Sequence, residues 1–479
     1  MKVLVVNTNT ELLPNPVVPL GACCAASAAQ AAGFETAFLD LAFERDPGRA
    51  LRRALETHRP DAVGLSIRNI DNTDYLFPRN YLPAIREAVV EPCLEALPEG
   101  TILGGSGFST MPGEILAFMG APLGVAGDGE VAFPELLRRI EAGEDPAGVP
   151  GVIRRGEAVS GPATSAELPP HLDALPGCDS PRWVDLKRYG SYGGHANLQT
   201  KRGCPLKCAY CVYNLVEGKS WRLRDPAAVV ADLKRLAKAG ATDAEFTDST
   251  FNIPIKHAKA VLRAVAEASP RLRLHASGLN PLQVDEELFR LMDRAGFATA
   301  MVTAESASDR ALEGLQKGYG ADAVRKTLHL VKASGRDAFW YFLFGGPKES
   351  EDTVEETLRF IDREIPPHHL VYLGAGIRVQ KGAPVEAVAR AQGVIAPDDD
   401  LLEPSFYFSP ALDRDRLVTR LREEVVAHPN YMQVEDYQQG RGPLVLARLL
   451  QLFHLRRPAW TWVPMLNRFL AKLGRKRRS

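Results

Sequence analysis

The feature of this 479-residue chain that most restricts its structure is a group of three cysteines directly after a short apolar segment. Cys204, Cys208 and Cys211 are separated by three and then two residues. Three thiolates can hold three irons of a [4Fe–4S] cluster and leave the fourth iron open to a small molecule. Zinc prefers four closed ligands, and no fourth Cys or His lies nearby at metal-site spacing. The spacing favours a reactive cluster over a zinc knuckle or three unrelated buried thiols.

The composition is that of an ordinary protein of two or three domains. Hydrophobic residues make up 45% of the chain and the formal net charge is −1, so nothing suggests nucleic acid as a partner. Seven cysteines, three of them in one motif, argue against a disulfide framework and for a reducing compartment. The first apolar run is too short for a signal peptide, and no stretch of about 18 apolar residues is present. We expect a cytoplasmic protein.

Residues 1–145 alternate between predicted strands and predicted helices. The strands are expected at 3–6, 36–40, 62–66, 101–105 and 124–127, and the clearest helices at 20–32, 51–58 and 133–142. Continuous apolar runs such as 3–6 are typical of strands that are covered on both faces. The pattern predicts a doubly wound parallel sheet with ligands at the carboxyl ends of its strands.

The rest of the chain divides into three parts. Residues 146–190 are rich in Pro and Gly, which predicts an irregular connector. In residues 191–400 the strand–helix alternation resumes, with strands expected at 197–200, 244–247, 273–276, 300–304, 338–343 and 370–379. Residues 401–479 are predicted to form a helical C-terminal region. The middle part therefore reads as a partial barrel, with its active-site groups at the carboxyl ends of the strands.

The cysteine spacing, with Tyr210 directly before the third cysteine, resembles the radical SAM superfamily. The resemblance implies a partial (β/α)6 barrel in which Cys204, Cys208 and Cys211 hold a [4Fe–4S] cluster. It implies that S-adenosylmethionine (SAM) chelates the open iron through its amino and carboxylate groups and is cleaved reductively to a 5′-deoxyadenosyl radical. An electron donor such as flavodoxin or ferredoxin is then required. Tyr210 would lie near the cluster or the adenine.

The same resemblance implies polar contacts to SAM at the end of the second barrel strand. Asp248 and Ser249 stand there, in the segment that commonly receives the amino group of the methionine moiety. Asp248 would accept from that ammonium group. The competing interpretation is that this segment caps the following helix.

Further SAM contacts are expected at later strand ends. Glu305 is a carboxylate that is costly to bury without a donor, and ribose hydroxyls would supply one. Ser277 and Asn280 are candidates for contacts to the nucleoside, and Gly345-Gly346-Pro347 resembles the turn that the family places near adenine. Arg378 would offer its guanidinium fork to the SAM carboxylate.

Glycine-rich segments follow two of the N-terminal strands, at Gly104-Gly105-Ser106-Gly107 and Gly127-Asp128-Gly129-Glu130. Glycine lets the backbone approach a ligand closely. Together with Pro16-x-x-Pro19-Leu20-Gly21, these segments resemble the cobalamin-binding domain that precedes many radical SAM domains. The predicted cobalamin contacts are Arg68, Asn69, Gly104, Gly105, Ser106, Gly127 and Glu130.

One departure from that resemblance concerns the cobalt. The Asp-x-His-x-x-Gly motif, through which some corrinoid domains supply a His ligand, is absent, and His58 stands before a strand. We therefore expect no His ligand from this domain. Arg68 follows the third strand and is expected beneath the corrin, where a fixed cation disfavours a sixth ligand. The competing interpretation pairs Arg68 with Asp71 or Asp74.

These resemblances imply a cobalamin-dependent radical SAM enzyme. We expect a C-methyltransferase that takes hydrogen from an unactivated carbon and delivers a methyl group from methylcobalamin. Three alternatives stay open: a cobalamin-associated rearrangement or cyclisation without net methylation, a radical SAM enzyme that has lost cobalamin, and a non-catalytic corrinoid- or redox-sensing protein. The sequence indicates no catalytic residue beyond the cofactor sites.

The stretch 438–479 is basic and aromatic, and a segment of this kind can lie in a membrane interface, so peripheral contact with a membrane or lipid is one interpretation. It also favours a lipid or other apolar molecule as the small-molecule substrate. The competing interpretation is a packed helical cap whose arginines face solvent.

Overall fold

The computed structural model describes residues 1–146, 148–157 and 168–433. Its N-terminal sheet consists of β1 (Lys2–Asn7), β2 (Glu35–Asp40), β3 (Ala62–Ser66), β4 (Thr101–Gly104), β5 (Leu123–Val125) and β6 (Val152–Arg154). The spatial order is β2-β1-β3-β4-β5-β6, and β1 to β5 run parallel. Apolar side chains pack on both faces of this sheet, so the predicted doubly wound fold is confirmed.

The helices of this part are α1 (Leu20–Ala31), α2 (Pro47–His58), α3 (Leu82–Ile85), α4 (Glu91–Ala96), α5 (Pro112–Met119) and α6 (Gly129–Ala142). Helix α2 begins before the predicted residue 51, because the Asp46 side chain accepts a hydrogen bond from the Arg49 N–H and Pro47 suits a first turn. Helix α6 likewise begins four residues before the predicted 133. Strand β6 lies in the predicted irregular connector and pairs antiparallel with β5.

The second part is built on a longer set of strands. They are β7 (Ala196–Leu198), β8 (Lys201–Arg202), β9 (Arg222–Leu223), β10 (Asp243–Phe246), β11 (Arg273–Ala276), β12 (Ala300–Glu305), β13 (Ala338–Phe344), β14 (Leu370–Ala375), β15 (Ile377–Arg378), β16 (Phe406–Tyr407) and β17 (Tyr431–Met432). Two parallel sheets, ordered β11-β10-β7 and β12-β13-β14-β17, are joined by parallel bridges between Leu274 and Phe297 and between Leu279 and Val302. Together they form an open barrel.

Helices cover the outside of this barrel. They are α7 (Ser180–Trp183), α8 (Leu186–Ser191), α9 (Tyr213–Val216), α10 (Pro226–Lys238), α11 (Ile255–Ala268), α12 (Glu286–Ala295), α13 (Asp309–Gly314), α14 (Ala321–Ser334), α15 (Glu351–Glu364), α16 (Pro384–Ala391) and α17 (Arg414–Ala427). On β13, Trp340 and Phe342 pack in the main core with the helices, whereas Phe339 and Tyr341 belong to a separate cluster on the other face. The alternation of strand side chains therefore leaves a lumen inside the barrel.

Two predictions about the end of the barrel are wrong. The strand predicted at 370–379 ends at Ala375, because Gly376 adopts a φ of +76° and turns the chain. Strand β15 then pairs antiparallel with β16. Residues 401–433 are not wholly helical, since β17 adds a further parallel strand beside β14. The predicted membrane segment 438–479 lies outside the described residues. Within the described ranges, no helix combines the length and apolar character that a membrane span requires.

Candidate functional site

The three cysteines stand on the loop between β8 and α9, and backbone hydrogen bonds hold that loop from several sides. The Cys204 N–H donates to the Gly218 carbonyl at 2.9 Å, and the Ala209 N–H donates to the Leu315 carbonyl at 2.9 Å. Gly203 begins the loop with a φ of +85°, and a Cβ there would lie 2.0 Å from the Ser220 carbonyl oxygen. Only glycine fits at this position, so the approach to Cys204 is fixed by the backbone.

The geometry of the thiols fits a cluster better than a single ion. Tetrahedral zinc would bring its sulfur ligands to about 3.8 Å from one another. Among the residues that the structure describes, the only group of three metal-binding side chains with ligand atoms within 4.8 Å of one another is His195, Asp243 and His275, not the cysteines. Burial raises the pKa of the Cys204 thiol and raises that of Cys211 to about 12. Iron must therefore displace protons when it binds.

Tyr210, between the second and third cysteines, joins a buried triad with Glu305 and Lys317. Its hydroxyl donates to Glu305 Oε1 at 2.6 Å, and the Lys317 ammonium donates to the same hydroxyl at 2.9 Å and to Glu305 Oε1 at 3.3 Å. Glu305 ends β12 beside a bulge with a φ of +63°. Tyr210 and Lys317 thus supply the hydrogen-bond donors that a buried Glu305 requires. The sequence had suggested ribose hydroxyls as these donors. Lys317 was not anticipated.

The predicted role of Asp248 is wrong. Its carboxylate is fully buried, and each oxygen already accepts two hydrogen bonds. Oδ1 accepts from the Thr200 and Lys201 N–H groups at 2.7 and 3.4 Å, and Oδ2 from Thr200 Oγ1 at 2.5 Å and Lys201 Nζ at 2.9 Å. No acceptor position is left for the SAM ammonium group. The capping interpretation is also wrong, since α11 begins only at Ile255. The neighbouring Ser249 hydroxyl faces the cysteine loop, 3.5 Å from the Gly203 carbonyl oxygen.

Two other SAM contacts predicted from the sequence are engaged within the protein. Arg378 is buried and pairs with Asp71 Oδ2 at 2.8 Å, while it donates to the Leu401 carbonyl at 2.7 Å. The turn at Gly376 removed this residue from the barrel strand. Asn280 is also buried, where its N–H donates to Asn252 at 2.8 Å and its side chain supports the following turn. These two predictions are therefore wrong.

Ser277 does lie on the lumen side of the barrel, where it contacts a charged group that the sequence analysis missed. Its hydroxyl donates to Glu245 Oε1 at 2.8 Å, and Glu245 Oε2 lies 3.2 Å from His195 Nδ1. Burial opposes ionisation of Glu245, but the hydrogen bonds from His195 and Ser277 outweigh it and hold its pKa below the ordinary value. The lumen therefore presents an ionised carboxylate.

The face of β13 and β14 that points away from the covering helices is aromatic. The Phe339 and Tyr341 rings lie 4.4 Å apart, and the Tyr341 and Tyr372 rings 5.8 Å apart. A loop of the N-terminal domain reaches the same region, because Tyr75 packs edge-on against Phe408 with a ring separation of 4.7 Å. The inner face of the barrel thus carries aromatic side chains on β13 and β14 and an acidic side chain on β10.

The His195, Asp243 and His275 group is explained without a metal ion. The two imidazole rings stack at 4.1 Å with only 9° between their planes, so their in-plane lone pairs do not converge on one point. Asp243 accepts from His275 at 2.9 Å and from both ends of the Arg273 guanidinium fork. Hydrogen bonds therefore satisfy this group at the amino end of the barrel.

The glycine segments of the N-terminal domain line a cavity of about 380 Å³. A Cβ at Gly105, where φ is +101°, would lie 2.6 Å from the Ile67 carbonyl oxygen. A Cβ at Gly64 would lie 2.8 Å from the Phe133 ring. Glycine at these two positions therefore permits the close packing on which the cavity lining depends. Every predicted cobalamin contact lines it: Arg68, Asn69, Gly104, Gly105, Ser106, Gly127 and Glu130.

Arg68 is the fixed cation of this cavity. Its guanidinium donates to Asn69 Oδ1 at 3.2 Å, and burial lowers its pKa. The competing interpretation is wrong for Asp71, which pairs with Arg378. Asp74 Oδ1 accepts from the Leu76 N–H within its own loop. The cavity with its glycine rim and cation fits a bulky, flat corrinoid.

Buried ion pairs connect this cavity to the cysteine loop. Asp128 pairs with Arg222 at 2.5 Å and with Arg202 at 3.2 Å, and Glu130 pairs with Arg202 at 2.6 Å. Burial opposes ionisation of Asp128, but the charges of Arg202 and Arg222 outweigh it and lower its pKa. Glu130 lines the cavity, yet one of its oxygens is engaged by Arg202. We call these four residues the interdomain ion cluster. In the sequence, the one signal for this cluster is the position of Arg202, two residues before Cys204.

Comparisons with known proteins agree with this geometry. The family model of the radical SAM superfamily matches residues 198–361, and that of the B12 binding domain matches residues 8–137. The tryptophan 2-C-methyltransferase of Streptomyces laurentii is 29% identical over 410 residues, which cover 73% of this chain and 68% of that protein. The hopanoid C-3 methylase of Methylococcus capsulatus is 25% identical over 311 residues, covering 62% of this chain and 55% of the methylase.

A solved structure is similar along its whole length. The radical S-adenosylmethionine methyltransferase TsrM from Kitasatospora setae, with cobalamin and a [4Fe–4S] cluster bound, superimposes with a TM-score of 0.84 at 25% identity. The match covers 99% of this chain and 100% of the other. The chain belongs to the radical SAM superfamily, in the class with an N-terminal B12-binding domain, and is a homologue of cobalamin-dependent radical SAM methyltransferases. The family resemblance seen in the sequence is thereby confirmed.

Proposed function

We propose that this chain methylates a carbon atom of a small molecule bound in the barrel lumen. When bound, the cluster with SAM supplies a 5′-deoxyadenosyl radical that removes hydrogen from the substrate carbon, and cobalamin supplies the methyl group. The observation that carries the proposal is the position of the glycine-lined cavity. Residues of the barrel close one side of it, among them Arg202 before the cysteine loop, Tyr213 after it and Thr247 at the end of β10.

The residues divide the work between the two cofactors. Cys204, Cys208 and Cys211 hold the cluster and leave one iron for SAM. Arg68 lines the cavity that would hold the corrinoid and, because a guanidinium offers no lone pair to a metal, would supply no ligand to the cobalt. Ser249 contributes to the SAM site beside the cysteine loop.

The remaining predicted SAM contacts stay part of the proposal. They are Tyr210, Ser277 and Glu305, which face the cysteine loop or the lumen. Asp248 and Arg378 do not belong to it, because their polar atoms are engaged elsewhere. Flavodoxin or ferredoxin stays the proposed electron donor.

The lumen favours a flat substrate with a nitrogen that donates hydrogen bonds. Tyr341 and Tyr372 offer rings for stacking. Glu245 on β10 offers an ionised acceptor. The relative from Streptomyces laurentii carries tryptophan in its name, and tryptophan has both properties. We therefore propose an aromatic amine or amino acid as the substrate, where the C-terminal stretch had favoured a lipid.

The test is anaerobic reconstitution with iron, sulfide, hydroxocobalamin, SAM and dithionite, with tryptophan as the first candidate substrate. We expect S-adenosylhomocysteine, 5′-deoxyadenosine and a product heavier by one methylene unit. The variant Cys208→Ala should lose all three, whereas Cys178→Ala, a half-buried cysteine outside the motif, should retain them. Glu245→Gln should raise the KM for the amine more than tenfold while cluster content stays unchanged.

The open alternatives give different outcomes of the same assay. Formation of 5′-deoxyadenosine with an altered product of unchanged mass would indicate a rearrangement or cyclisation. A methylated product without 5′-deoxyadenosine would contradict the hydrogen-abstraction step alone. A fully loaded protein that never cleaves SAM would support a sensing role and contradict the proposal.

A further inference from the structure

One buried charge near the cluster loop contacts Tyr210, which stands between Cys208 and Cys211 in the chain. Lys317 is only 3% exposed, and its ammonium lies 5.2 Å from the centre of the Tyr210 ring. It is close enough to Cys208 and Cys211 to act electrostatically on both thiols. Its counter-ion Glu305 is 8% exposed. A lysine and a glutamate are therefore buried together directly behind the chain between two cluster ligands.

The backbone fixes this pair relative to the cluster loop. The Ala209 N–H donates to the Leu315 carbonyl, two residues before Lys317, and the Ala209 carbonyl accepts from Val385 at 2.8 Å. Glu305 is held by its strand and by the Tyr210 hydroxyl. The two charges therefore cannot reorient freely when the charge of the cluster changes.

Reduction of a cluster is sensitive to such fixed charges. One electron enters from an external reductant, no bond is made or broken, and the net charge of the cluster falls by one. A neighbouring cation favours the reduced form and a neighbouring anion favours the oxidised form, and both effects are large where water is excluded. The ammonium and the carboxylate therefore act on the electron in opposite directions.

We infer that Lys317 and Glu305 are positioning residues that set the reduction potential of the cluster. This inference rests on the proposed function only in that the cysteines hold a [4Fe–4S] cluster. Lys317 makes the cluster easier to reduce, and Glu305 limits that effect. A role confined to packing would instead make both substitutions harmful in the same direction.

The experiment is a redox titration of the reconstituted cluster, followed by electron paramagnetic resonance. Lys317→Met should raise the ratio of oxidised to reduced cluster at least tenfold at the wild-type midpoint, which corresponds to about −59 mV for a one-electron couple. Glu305→Gln should change the ratio at least tenfold in the opposite direction. The double variant should return to within about threefold of the wild type, because the opposing charges are both removed.

A matched pair of controls is close by. Lys348 and Glu313 also form a salt bridge, at 2.7 Å, but are 52% and 68% exposed, so Lys348→Met and Glu313→Gln should leave the midpoint unchanged. Lys317→Arg keeps the charge and should stay within about threefold of the wild type. If Lys317→Met fails to load iron, Glu305→Gln still tests the sign of the effect, because removal of the carboxylate should make the cluster easier to reduce.

The outcomes separate this inference from the proposed function. Shifts in the same direction, or no shift in a protein with full iron and sulfide content, would overturn the tuning role and leave the proposed methylation intact. A wild-type protein that assembles no [4Fe–4S] cluster would contradict both.

Discussion

The two cofactor regions are built by opposite means. The glycine-lined cavity depends on close packing at Gly64 and Gly105, and its charged residues among the predicted corrinoid contacts are Arg68 and Glu130, the latter paired with Arg202. The cysteine loop instead lies among buried charged groups, with Lys317 on one side and Arg202 on the other. The glycine-lined cavity therefore depends mainly on the space that its lining leaves, whereas the cysteine loop depends mainly on the buried charges around it.

This difference follows from what each group requires. A large, flat ring needs room and close backbone approach, and both come from glycine. A small cluster that changes charge needs surroundings that stay polarised in a fixed direction, and buried ion pairs provide them. Substitutions in the first region should act through volume, and substitutions in the second through charge.

The largest effect is expected in the region defined by space. Gly105→Val places a branched side chain against the Ile67 carbonyl and strains a backbone φ of +101°. We expect binding of hydroxocobalamin to be lost, because the Gly105 backbone must move away from Ile67 and distort the rim of the cavity. Absorption spectroscopy after gel filtration measures the retained corrinoid. Gly177→Ala, where a Cβ meets no atom within 4 Å, should retain it fully. Normal retention by the valine variant would show that volume does not define this site.

The next effect concerns the interdomain ion cluster. Asp128→Asn leaves Arg222, only 3% exposed on its side chain, without its anionic partner. Breaking a buried pair in this way costs about 3–5 kcal/mol, which urea unfolding of the apoprotein measures. Glu135→Gln, in an exposed salt bridge with Arg138, should cost less than about 1 kcal/mol. Equal effects of the two substitutions would mean that burial does not strengthen the charges at the border.

A smaller effect, which depends on pH, is expected at Glu349. Its Oε2 accepts from the N–H groups of Gly345 and Gly346, at 2.5 and 2.9 Å, while Oε1 is buried with no hydrogen-bond partner among the described residues. Burial raises its pKa from 4.5 to about 7. The folded state then binds the proton more tightly than the unfolded state, so the contribution of Glu349 to stability is fully present below pH 4.5 and is lost as the pH rises through 7.

Glu349→Gln fixes the neutral form and should remove this decline. Between pH 5 and 8, the wild type should lose up to roughly 3 kcal/mol more of its free energy of unfolding than the variant does. Glu351→Gln, an exposed neighbour, should follow the wild type. Parallel curves for wild type and Glu349→Gln would show that this carboxyl group is ionised in the folded protein.

The sequence predicted the glycine-lined cavity better than the buried charges around the cysteine loop. Cysteine spacing and glycines after strands are local signals, so the cluster loop, the cavity and all five parallel strands of the first sheet were found. Lys317 and Glu305 meet Tyr210 from positions about 100 residues further along, and no local pattern announces such a contact. The same holds for Glu245 and His195, which are 50 residues apart.

Two of the three wrong SAM contacts, Asp248 and Arg378, have different physical causes. Asp248 was placed correctly at a strand end, but Thr200 and Lys201 use every acceptor position of its carboxylate. Arg378 was misplaced because a positive φ at Gly376 ends the barrel strand early. A correctly predicted strand therefore does not determine which groups a charged side chain at its end will contact. A single glycine with a positive φ can also end a strand earlier than the sequence pattern predicts.

The ion pairs between Arg202 and the first domain have a consequence for how the two cofactors are inserted. The Arg202 guanidinium pairs with Asp128 and Glu130. A movement of these residues at the rim of the cavity would therefore also move the segment that leads to Cys204. We therefore expect binding of the corrinoid to change how readily the iron–sulfur cluster assembles, and assembly of the cluster to change the affinity for the corrinoid.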